Sequence, residues 1–136
     1  ALYAQSLGTE LGLYADPYSQ FGALNVELWR AAALVVDTGL HAQGWSRQRA
    51  GDYLRENTAL GEADIAAEVD RYVACPGQAL ADKIGQLKIL ELRRRAEQQL
   101  GERFDLREFH EQVIGSGILP LSVLESRINR WIDARR

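Results

Sequence analysis

Cysteine is nearly missing from this sequence: Cys75 stands alone in 136 residues. One thiol cannot close an internal disulfide or build a thiolate zinc cluster, and it is compatible with a reducing compartment. Histidine is almost as scarce, with only His41 and His110. Methionine is absent even at position 1, and Ala1-Leu2-Tyr3-Ala4 is already helical in pattern without an N-cap. Both features lead us to expect a piece of a longer protein. No apolar run approaches the roughly 20 residues of a spanning helix. The longest, Ala31 to Val36, stops at Asp37. No basic-then-apolar export segment opens the chain, which slightly favours a cytoplasmic location. A net charge of -3 argues against nucleic acid or anionic membrane as partner.

What is present is an ordinary globular mixture, 46% apolar and 26% charged, suited to a single helical domain over residues 1–136. Helical spacing dominates throughout, and no stretch alternates with period two. Leu2, Tyr3, Leu7 and Leu11 mark a first helix ending near Gly12. Asp16-Pro17 restarts the chain, because proline suits the first helical turn and Asp can cap it. Phe21, Leu24, Leu28, Ala31 and Val35 then mark one face of a long second helix, to about His41. Ser46 caps a third, through about Glu56, with Tyr53 and Leu54 turned inward. Ile65, Val69 and Tyr72 define a fourth, and Cys75-Pro76-Gly77 breaks the chain. A fifth carries Leu80, Ile84, Leu87 and Ile89 until Gly101. Its interior Gly85, costing about 1 kcal/mol against alanine, suggests close packing of another backbone. Asp105 and Glu108 form a capping-box pair for a sixth helix. Leu121, Leu124, Ile128 and Trp131 define the last. The expected fold is all-α, an irregular bundle of about six or seven helices.

Zinc peptidases place two histidines four residues apart on a helix, with a glutamate to activate water. His110-Glu111 begins that pattern, but Ile114 occupies the place of the second histidine. We therefore expect no metal ligands and no cofactor in this chain, and read His110 as a polar position on a capped helix. Asp37 and His41 are four apart, on one face of the second helix. A carboxylate there can fix an imidazole's tautomer for acid chemistry or for holding an oxyanion. The plainer reading, which we favour, is a structural hydrogen bond near the helix end. Cys75 reads as a lone buried cysteine, having no histidine nearby in sequence to act as its base. Residues 45–73 suggest helix, turn, helix, yet the second helix offers Glu62, Asp64, Glu68 and Asp70 where DNA readers carry basic groups. Phosphate would be repelled. Arg93, Arg94 and Arg95, interleaved with Glu91 and Glu97, read as a solvated face.

Several phrases together carry a resemblance. They are Ala1-Leu2-Tyr3-Ala4, then Val35 through His41 with Gly44-Trp45-Ser46, and Glu68-Val69-Asp70-Arg71-Tyr72. Pro76-Gly77-Gln78-Ala79-Leu80 with Lys83-Ile84-Gly85 follows, then Phe104 through His110 and Leu119 through Glu125. In order and spacing they resemble the C-terminal region of the bacterial family termed domain of unknown function 885. That family is related to helical zinc metallopeptidases.

The resemblance implies the C-terminal helical part of a zinc metallopeptidase-like fold, with bacterial hydrolase chemistry. It also implies that the zinc ligands and the general base lie upstream, so this chain alone would be catalytically incomplete. By the same resemblance, His41 would steady substrate or oxyanion with Asp37 orienting it. Gln78, Asp82 and Lys83 would face substrate. The upstream catalytic half would be the partner, or else self-association as a homo-oligomer. Three positions depart from the family pattern: Gln5 where glutamate is usual, Ala33 where arginine is usual, and Asp82 where tyrosine is usual. All three are expected at polar positions near the cleft. The alternative is a stand-alone helical interaction or oligomerisation module without enzymatic activity.

Overall fold

The computed structural model describes all residues from Ala1 to Arg136. It contains seven α-helices and no strand. They are α1 (Leu2–Glu10), α2 (Pro17–Ala42), α3 (Arg47–Asn57), α4 (Glu62–Ala74), α5 (Gln78–Leu100), α6 (Leu106–Ile114) and α7 (Leu121–Asp133). A 3-10 turn over Gly101–Arg103 follows α5. The all-α expectation holds. No helix is long and apolar enough to cross a membrane.

The caps fall where side-chain chemistry places them. The Asp16 carboxylate accepts from the N–H groups of Tyr18 and Ser19, with Pro17 in the first turn of α2. Ser46 accepts from Arg49 N–H and starts α3. Asp105 accepts from Glu108 N–H and starts α6. The Glu108 carboxylate pairs with Arg135 at 2.6 Å, so the capping box is closed on one side only by these contacts.

The chain packs as two compact units, residues 1–84 and 85–136. In the first, α2, α3, α4 and the opening turn of α5 surround a core of Ala32, Ala33, Val36, Ala50, Leu54, Ile65, Val69, Tyr72 and Ala79. Small residues on α2 and α3 let these helices approach closely. Gly39 makes room for the connection to α3: a Cβ there would run into the Trp45 ring. In the second unit, Leu92, Ala96 and Leu100 of α5 are buried, as are Phe109 of α6 and Leu124, Ile128, Trp131 and Ile132 of α7. Phe109 stands 6.3 Å from Trp131 and 6.1 Å from Phe104, ring to ring.

Several sequence expectations need correction. The large apolar stripe of α2 is not its core face: Phe21 is 64%, Leu24 66%, Leu28 51% and Val35 39% exposed. The core takes the neighbouring small-residue strip, because close packing on α3 and α4 has no room for larger side chains. On α5, Ile84 and Leu87 are likewise exposed. Ala33 is fully buried rather than polar and cleft-facing. Cys75, at the end of α4, is exposed rather than buried. A Cβ at Gly85 would meet nothing within 4 Å, so no backbone packs there.

These contrasts separate two kinds of apolar position. Leu54→Ala should cost about 2–5 kcal/mol by leaving a cavity. Leu24→Ala should stay within about 0.5 kcal/mol, as exposed changes do. Urea denaturation followed by far-UV circular dichroism measures both, and equal losses would contradict the core assignment.

Candidate functional site

The α4–α5 corner is braced from α2 by two side chains that bond to its backbone. Helix α4 stops at Cys75 because Pro76 cannot continue it, and Gly77 turns the chain with φ +80°. The carboxylate of Asp37, only 2% exposed, reaches across from α2. Its Oδ1 and Oδ2 accept from Gly77 N–H at 3.1 and 3.0 Å. One turn later on α2, His41 Nε2 lies 2.9 Å from the Tyr72 carbonyl oxygen. A carbonyl only accepts, so Nε2 carries the proton and Nδ1 is the basic nitrogen of the neutral ring. Asp37 and His41 thus each hold backbone, one at the entry to α5 and the other near the end of α4. The structure does not bring them together as a hydrogen-bonded pair.

With the corner fixed, α2, α4 and the start of α5 frame a pocket of about 350 Å³. Arg30, Glu68, Arg71, Gln78, Ala79, Ala81 and Asp82 line it. Glu68 and Arg71 are three apart on α4 and share a helix face. Arg71 Nη2 donates to Glu68 Oε2 at 2.6 Å, Nε to Glu68 Oε1 at 3.2 Å, and Nη1 to Gln78 Oε1 at 2.9 Å. Arg30 reaches Asp82 at 3.4 Å and stacks over the Trp29 ring at 4.2 Å. Behind them Trp29 Nε1 donates to the Tyr72 hydroxyl at 3.1 Å.

Of the residues singled out in the sequence, Gln78 and Asp82 line the pocket. Lys83 is beside it, its Nζ 2.8 Å from Glu27 Oε1. Asp37 and His41 stand behind the corner. Gln5 is exposed on α1, its carbonyl accepting from the Tyr14 hydroxyl. Arg30, Glu68, Arg71 and Tyr72 were missed as site residues. Three of them sit in the Glu68–Tyr72 phrase that carries the family resemblance, which was the available signal. Arg30 had none, since its partner lies 52 positions along the chain.

The charges shape each other. Burial works against ionisation of Glu68, but the Arg71 hydrogen bonds, the Tyr72 hydroxyl beside it and the Arg71 and Arg30 charges outweigh that. Its carboxyl is held below the ordinary 4.5. Burial pushes the Tyr72 phenol up to about 12, aided by the Glu68 carboxylate, so it stays neutral at physiological pH. No three His, Cys, Asp or Glu side chains are grouped so as to hold a metal ion. The arrangement can orient a polar ligand, with two guanidiniums, two carboxylates and one amide at its rim.

Residues 1–128 match a family described as "Bacterial protein of unknown function (DUF885)". A crystal structure of a candidate lipoprotein from Colwellia psychrerythraea is similar, at 48% identity and a TM-score of 0.95. The alignment covers 98% of this chain but 23% of that one, so this chain spans about a quarter of that protein's length. No curated protein matches the sequence.

Two outcomes follow from the bracing. Asp37→Ala strands the Gly77 N–H and should cost about 1–3 kcal/mol, with faster hydrogen exchange at Gly77. His41→Ala, at an exposed ring, should cost less. Equal losses would mean that the Asp37 bond does not brace the corner. Glu68 has a lowered folded-state pKa, so its contribution is complete above the ordinary carboxylate value and fades as pH falls through the folded one. Across an acid titration of stability, the gap between the native chain and Glu68→Gln should stay constant at neutral pH and narrow as pH falls below the ordinary carboxylate value of 4.5.

Proposed function

The chain belongs to the bacterial DUF885 family, and from that premise we propose that it is the substrate-positioning wall of a metallopeptidase-like hydrolase, catalytically incomplete alone. The observation that carries this reading is the polar pocket at the α4–α5 corner. Four of its lining residues, Glu68, Arg71, Gln78 and Ala79, fall in the Glu68–Tyr72 and Pro76–Leu80 phrases that carry the family resemblance, while Arg30, Ala81 and Asp82 lie outside them.

Zinc, the metal that resemblance implies, does not fit this chain's own residues. His41 already uses Nε2 on a carbonyl, and no three candidate ligands are grouped. In this reading the metal and the general base belong to another part of a longer protein, as the 23% coverage of the Colwellia structure allows. Here Gln78 and Asp82 face substrate, and Lys83 is held beside them by Glu27. Asp37 and His41 are positioning residues that act through the corner they brace.

A second reading, a stand-alone interaction or oligomerisation module, draws on the exposed stripe of Phe21, Leu24 and Leu28. Sedimentation at rising concentration separates the two. Self-association lost in Leu24→Glu would favour the module.

The primary test measures zinc content and peptide hydrolysis, first in this chain and then in a longer family protein containing the segment. The chain alone should hold far less than one zinc and cleave nothing. In the longer protein, Asp82→Ala should lower kcat/KM about tenfold, near 1.4 kcal/mol of transition-state stabilisation. Stoichiometric zinc with cleavage by the chain alone would overturn the proposal.

A further inference from the structure

The two arginines at the pocket are not equivalent. Arg71 is satisfied: its donors are distributed over both oxygens of Glu68 and the Gln78 amide. Arg30 is not. Its ion pair with Asp82 spans 3.4 Å, long for a charge-assisted hydrogen bond, and its Cζ lies over the Trp29 indole at 4.2 Å. The Arg30 side chain is 26% exposed, so this guanidinium is half-buried, pre-oriented and short of acceptors. Five donors in a rigid fork match a carboxylate in two-point contact.

Asp82 is its counterpart. One oxygen, Oδ2, faces Arg30, and the side chain is 43% exposed. Both oxygens of Glu68 are occupied by Arg71, so Asp82 is the lining carboxylate with capacity for a further donor. The opening turn of α5 also lines the pocket and adds the positive end of a long helix.

We infer that this pocket binds a small zwitterion, an α-amino acid being the simplest, with its carboxylate on Arg30 and its ammonium on Asp82. The inference rests on reading the pocket as a ligand-positioning wall, and adds the ligand's class. A ligand bringing only a carboxylate would be drawn by Arg30 but repelled by Asp82. A ligand bringing only an ammonium meets the reverse. A molecule with the two charges side by side replaces the long Arg30–Asp82 contact with two shorter ones and leaves neither residue uncompensated. A volume of about 350 Å³ accommodates an amino acid or short peptide.

The test is an NMR titration of the 136-residue chain with L-alanine, propionate and ethylammonium. The last two are L-alanine without its ammonium and without its carboxylate. L-Alanine should bind at least about tenfold more tightly than either, as expected for one charged hydrogen-bonding group gained. Arg30→Gln should weaken L-alanine by a similar factor, with partial recovery in Arg30→Lys. Asp82→Asn should weaken L-alanine while strengthening propionate severalfold, a reciprocal change that general unfolding cannot produce. Propionate binding as tightly as L-alanine, or Asp82→Asn weakening both, overturns the inference but leaves the pocket as a ligand site. No binding of any probe overturns both.

Discussion

A carboxylate withdrawn from water must find hydrogen-bond donors in the fold, and the geometry of its neighbours then follows from where those donors are. Asp37 is that group here. It sits among the small residues of α2, and its two oxygens accept from one backbone N–H, that of Gly77. Removing it from the sequence would leave Pro76 and Gly77 as an untethered break. With it, α5 must start at one place and in one direction. Gln78, Ala79, Ala81 and Asp82 then come to the same rim as Arg30, Glu68 and Arg71. His41 reinforces the joint from the other side by holding the last turns of α4 through Tyr72.

The rim itself is balanced in charge, and the balance is uneven in strength. Arg71 and Glu68 form a close two-point pair three residues apart on one helix, with Gln78 completing it. Such a pair is easy to form because the helix pre-positions both ends. Arg30 and Asp82 come from different helices and meet loosely. The tight pair is therefore scaffolding. The loose pair is where a ligand can enter at little loss, since partly exposed ion pairs contribute little to stability.

Close helix packing in the first unit comes at a cost in buried area. Alanine at positions 32, 33 and 50 brings α2 near α3 and α4. The larger side chains of α2, from Phe21 to Val35, are left on a neighbouring face in contact with solvent. The second unit solves the same problem differently, with an aromatic cluster of Phe104, Phe109 and Trp131 at its centre. Large apolar residues make that core, whereas small ones set the geometry of the first.

Local chemistry made the helices legible in the sequence. Asp16-Pro17, Ser46 and Asp105 each satisfy nearby N–H groups within a few residues, and Pro76 and Gly77 break the chain through their own backbone restrictions. Those effects need no tertiary partner, so the helix count and most boundaries could be read directly. The inward faces of Leu54, Val69, Tyr72 and Trp131 could be read too, from periodicity. Which face of α2 is buried could not, because hydrophobicity ranks Phe21 and Leu24 above Ala32 and Ala33, while close packing prefers the small ones. The pairing of Asp37 with Gly77, 40 residues away, and of Arg30 with Asp82 depends on where helices cross. Helical spacing placed Asp37 and His41 on one face, but only the crossing of α2 with the α4–α5 corner decided that backbone groups would claim both.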